Sequence, residues 1–145
     1  MKKFLFLLSL FTLFQGVFAT GNYHQEVLNL VNKERTRHNL TSLHLNNKLN
    51  KVAKLKSNDM SKEKYFSHNS KKYGSPFDMM KKEKIKYKSA AENIAKGQKT
   101  SQHVFKSWME SKGHRKNILN PRYTEMGVGK DDYQENIWTQ VFIGN

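Results

Sequence analysis

Cysteine is absent from this 145-residue chain. Disulfides, a thiol nucleophile and a lipid anchor on an N-terminal cysteine are all excluded, so stability must come from packing and hydrogen bonding. Arginine is scarce as well: Arg35, Arg37, Arg115 and Arg122 stand among 26 basic residues. Guanidinium forks are favoured where bases and phosphates are read. The net charge of +14 therefore reads as a solvated lysine surface, and no nucleic-acid partner is expected. An acidic glycan or an anionic lipid surface is the secondary reading of such a charge. Long apolar runs are also missing. The longest, residues 4–14, falls well short of the roughly 20 residues that a membrane-spanning helix needs.

That short run has a context. Lys2 and Lys3 precede it, and Val17-Phe18-Ala19 follows with a small-x-small pattern. The three parts have the layout of a secretory signal peptide, residues 1–19, cleaved after Ala19. The expected product is a secreted or periplasmic chain with no membrane span, made of one domain over residues 20–145. A chain of that size buries a single core.

Along the mature chain, Val27, Leu28 and Val31 recur at helical spacing over residues 24–38. Asn46 reads as the N-cap of a second helix with the face Leu49, Val52, Ala53, Lys56 and Met60. Lys56 is expected at the edge of that face, its ammonium snorkelling to water. Ser75-Pro76-Phe77-Asp78 opens a third helix, with serine as cap, proline in the first turn and aspartate three after the cap. The stretch IKYKSAAENIAKG reads as irregular, leading into a short strand or turn. Thr100 or Ser101 caps a fourth helix whose apolar side is Val104, Phe105 and Trp108. EMGVG and ENIWTQVFI read as strands through their β-branched and aromatic residues. Helices come first and strands late, so an α+β domain with helices packed on a mainly antiparallel sheet fits best.

Four segments stand out: YFSH (65–68), AENIA (91–95), WMESKGHRKNIL (108–119) and WTQVF (138–142). Together and in this order they resemble the CAP superfamily of cysteine-rich secretory proteins, insect venom antigens and plant pathogenesis-related proteins. The likeness is greatest to its bacterial, secreted, cysteine-free branch and runs over about residues 25–142. The resemblance implies a three-layer α-β-α sandwich and a cleft lined by two histidines and two glutamates. His68 and His114 match the histidines, and Glu92 matches the first glutamate. The second glutamate position, three after the helix tryptophan, holds Ser111. Glu110 lies one residue earlier, about 100° round the helix, and which of the two fills the place stays open. Gly113 is expected to permit a tight exit from the Trp108 helix. Asn117 and Ile118 then hold the short helix against the sheet, and Pro121 ends it.

Two imidazoles and a carboxylate suit a divalent cation such as zinc, with His68 and His114 as ligands. They also suit acid–base work near neutral pH, or a plain hydrogen-bonded tie between loops. Ser67 and Ser111 lack a GxSxG elbow and an orienting acid, so neither is nominated as a nucleophile. The leading expectation is a secreted binding module. Its cleft takes a divalent cation, and the resemblance admits a lipid or sterol, an extracellular protein or a glycan as partner. A metal-dependent hydrolase of an extracellular peptide or cell-wall substrate, with Glu92 as base, is the alternative. A third reading is a structural or adhesion module that works through its lysine surface.

Overall fold

A computed structural model describes residues 22–145; the expected signal peptide, residues 1–19, lies outside the described residues. Helix α1 (Tyr23–Arg37) starts at Asn22, whose side chain accepts from the Gln25 amide, and it buries Val27, Leu28 and Val31. A two-residue strand β1 (His44–Leu45) follows, for which the sequence carries no pattern. Helix α2 (Asn47–Lys62) is capped by Asn46, which accepts from the amides of Lys48 and Leu49. Helix α3 (Pro76–Lys82) opens on a full capping box between Ser75 and Asp78. Next come β2 (Ser89–Lys96), α4 (Ser101–Glu110), α5 (Lys112–Ile118), β3 (Glu125–Lys130) and β4 (Ile137–Gly144). Thr100 caps α4 through the amide of His103.

The strand order is β1-β3-β4-β2. Strand β4 is antiparallel to both β2 and β3, while β1 joins β3 in parallel. Every residue of β4 is buried, because helices cover both faces of the sheet. Helices α2 and α3 pack on the face that bears Val141 and Ile143. Helices α1, α4 and α5 pack on the face that bears Trp138 and Phe142, with Trp108 fully buried among them. This is the α-β-α sandwich that the resemblance implies. Helix α2 lies unusually close to the sheet, because β3 has glycines where the two cross. A Cβ on Gly127 would stand 2.3 Å from the Leu49 carbonyl carbon, and one on Gly129 would stand 2.3 Å from the Lys54 amide nitrogen.

Three expectations are corrected. The stretch read as irregular contains an eight-residue strand, β2, in register with β4 along its whole length. Its alanines and polar residues hide the strand because both faces are covered, so no alternation develops. Lys56 does not snorkel: it is fully buried. The break between α4 and α5 falls at Ser111, at φ −95° and ψ 121°. Gly113 sits inside α5 with open space where a Cβ would be, so the turn does not depend on it.

Candidate functional site

Strand β2 carries the site on both of its faces. Glu92 pairs with Val141 across the ladder and so points towards α2, whereas Asn93 pairs with Gln140 and points towards α5. On the α2 side, Glu92 Oε1 accepts from His68 Nδ1 at 2.7 Å. A carboxylate only accepts, so Nδ1 carries the proton. The Glu92 side chain is 3% exposed and that of His68 is 55% exposed. A buried anion thus holds a ring that reaches the surface. Glu92 Oε2 is buried and makes no hydrogen bond. On the other side, Asn93 Nδ2 donates to the His114 carbonyl at 3.2 Å and to Gln140 Oε1 at 3.2 Å. Its Oδ1 accepts from Asn117 Nδ2 at 2.8 Å. The Asn117 contact and the burial of Ile118 fasten α5 to the sheet as expected.

Their surroundings move the two rings in opposite directions. The hydrogen bond to Glu92, and then that residue's charge, raise the His68 pKa against the opposing effects of burial and Lys56. Burial, and then the charge on His68, lower the His114 pKa. Of the two rings, His68 is therefore the more readily protonated.

Beneath His68 lies a network that the sequence analysis missed. The buried Lys56 Nζ donates to the His68 carbonyl. Asp59 Oδ2 accepts from the Ser70 hydroxyl at 2.6 Å and from the Tyr65 hydroxyl. Burial, and then the bond to Asp59, push the Tyr65 hydroxyl up to about 12, so it remains a donor. Both ends of the loop from Tyr65 to Ser70 are tied to α2 in this way. Burial lowers the Lys56 pKa, while Glu92 and Asp59 oppose the shift. The available signal was Lys56 itself, a lysine inside an apolar stripe one turn before Met60. A concavity of about 550 Å³ opens beside the loop, with Asp59, Tyr65, Ser67 and Asn69 in its wall.

Glu110 and Ser111 do not join this group. The Glu110 side chain is 67% exposed and pairs with Lys106 at 3.9 Å. Ser111 stands at the break between helices and its side chain caps neither. Ser67 Oγ accepts from the Asn69 amide, so it is engaged away from the His68 ring. Among the described residues no three His, Asp or Glu side chains form a cluster able to hold a metal ion. Two imidazoles remain as the donor set, with Glu92 behind one of them. A carboxylate that fixes a ligating histidine through its other ring nitrogen is the usual outer partner of a metal site. The bond to Glu92 leaves Nε2 as the ring nitrogen of His68 able to ligate, and the described residues bring no cluster of three donors to it.

A mixed sheet between two helical layers, with a glutamate of its edge strand bonded to a loop histidine, defines the class. The chain belongs to the cysteine-rich secretory protein family, CAP, whose family model matches residues 28–142. It is 55% identical over 128 residues to the Bacillus subtilis protein YkwD, whose function is uncharacterised, covering 87% of this chain and 49% of that one. It is 36% identical to a Bacillus anthracis extracellular protein containing an SCP domain, with a TM-score of 0.79 over 85% of this chain and 40% of that chain. An outer surface protein of Borrelia burgdorferi shares the fold at 20% identity, with a TM-score of 0.75 over 83% of this chain and 91% of that one. The chain thus spans about half the length of the curated relative YkwD.

Proposed function

We propose that this CAP domain is exported and acts as an extracellular binding module, with His68 and His114 taking a divalent cation such as zinc. The observation that carries the reading is the fixing of the half-exposed His68 ring by a buried carboxylate. That arrangement leaves Nε2 free and sets its direction. The adjoining concavity, with its hydroxyl, amide and lysine groups, offers room for a lipid headgroup, a glycan or a protein segment. Export is supported by the layout of residues 1–19 and by the relative described as extracellular. The hydrolytic alternative asks Glu92 to act as a base, but Oε1 is held by His68 and Oε2 is buried. No observation favours it.

Zinc titration by calorimetry at neutral pH tests the reading. One site is expected in the wild type, lost in His68→Ala and in His114→Ala. Glu92→Gln should weaken it by about 10- to 100-fold, the usual effect of removing an outer partner. Glu110→Ala should leave it unchanged. Both imidazoles must be neutral to ligate, so affinity falls as pH drops. The raised His68 pKa brings that loss in above the ordinary value of 6.5. Identical zinc binding by the wild type and both alanine variants would reduce the site to a hydrogen-bonded scaffold.

A further inference from the structure

Residues 77–88 read FDMMKKEKIKYK, with Lys81, Lys82, Lys84, Lys86 and Lys88 all exposed. The fold explains the alternation. Met79 and Met80 are buried beneath α3, and Ile85 and Tyr87 pack against the same core cluster. The lysines between them are turned outwards. Phe77, one helical turn before Lys81, is 47% exposed. Phe77, Lys81, Lys84, Ile85, Lys86 and Tyr87 share a shallow concavity of about 580 Å³. Lys84, Ile85 and Lys86 continue from it into a second hollow, of about 390 Å³, that also contains Lys48.

The acids of this segment are already engaged. Asp78, which also borders the first hollow, accepts from the Ser75 amide at 2.8 Å and from the Ser75 hydroxyl at 2.7 Å. Glu83 pairs with Lys51 at 3.1 Å. Among the described residues, Lys81, Lys84, Lys86 and Lys88 form no ion pair. An anionic partner would thus meet several free ammonium groups around one aromatic ring. A soluble polyanion would engage the lysines and leave Phe77 in water. An anionic bilayer engages both, because ammonium groups are drawn to its surface potential and the ring enters the headgroup region.

We propose that the face formed by α3 and the segment leading into β2 docks on an anionic phospholipid surface. Phe77 enters the headgroup layer, and Lys81, Lys84 and Lys86 surround it. None of His68, Glu92 or His114 takes part, so this proposal and the cation site stand or fall separately.

Co-sedimentation of the mature chain, residues 20–145, tests it. The vesicles are phosphatidylglycerol mixed with phosphatidylcholine, or phosphatidylcholine alone. Binding is expected only to the anionic vesicles. A lysine near such a surface is worth about fivefold in partitioning. The triple variant Lys81→Glu/Lys84→Glu/Lys86→Glu should therefore lose at least about a hundredfold. The triple variant Lys33→Glu/Lys112→Glu/Lys116→Glu, with the same net charge but altered on α1 and α5, should lose far less. Phe77→Trp should show a blue-shifted emission on vesicle binding, against the constant background of the buried Trp108 and Trp138. All the altered side chains are exposed, and thermal melts followed by circular dichroism confirm that each variant is folded. Equal loss in both triple variants would reduce the effect to net charge and overturn the proposal. So would an unshifted Phe77→Trp emission. Patch-dependent binding of polyphosphate in solution, with no vesicle binding, would replace the membrane with a polymeric partner.

Discussion

At the scale of the residue, Glu92 holds the ring of His68 by a hydrogen bond, while His114 is pressed by burial and by the charge of its neighbour. The signs have consequences for stability. His68 has a folded pKa above its unfolded value of about 6.5. Its contribution is fully present below that value and is lost as pH rises through the raised folded one. His114 works the other way. As pH falls below about 6.5 the unfolded chain takes up a proton first, so the folded state loses ground until the lowered folded pKa is reached. The two effects offset each other in total stability, so they are best separated by site. Proton NMR titration of the imidazole signals should place His68 above the ordinary value and His114 below it. Glu92→Gln should lower His68 and, by removing charge from that ring near neutrality, raise His114. An unshifted His68 in the wild type would mean that the Glu92 hydrogen bond is not formed in solution.

At the scale of the element, the depth of α2 decides where the site residues sit. Gly127 and Gly129 let the helix approach β3, and this brings Lys56 beneath the loop that carries His68. Gly129→Ala should cost about 3 kcal/mol, at the upper end of overpacking penalties, because the obstacle is helix backbone. Gly113→Ala meets open space and replaces glycine within a helix, so it should stabilise by about 0.5 kcal/mol. Urea denaturation of the pair checks both signs, and a destabilised Gly113→Ala would restore a turn-making role to that glycine. The same contrast shows what was legible in the sequence. Caps at Asn46, Ser75 and Thr100 could be read because they are local side-chain chemistry. So could the aromatic and β-branched pattern of β4. His68, Glu92 and His114 were nominated through motif resemblance. Lys56 and the strand β2 were not, because their character comes from what covers them. A buried lysine becomes tolerable only when a distant loop offers its carbonyl, and a strand covered on both faces shows no alternation.

At the scale of the whole molecule, the sheet is centred on its final strand. Strand β4 pairs with β2 on one side and β3 on the other and is buried throughout. A chain ending at Asn136 should therefore lack a cooperative unfolding transition and near-ultraviolet dichroism, although all five helices are encoded. A sharp melt from that fragment would show that the helical layers hold together without the central strand.

The position of β4 also bears on timing. Strands β2 and β3 pair only through β4, so the sheet is completed once synthesis has passed Gly144. Helices formed earlier carry apolar faces whose partners on β4 are not yet made. Under the proposed export, such a delay would let the chain pass a translocation channel before the domain had closed. The order of strands along the chain thus works as a clock for folding.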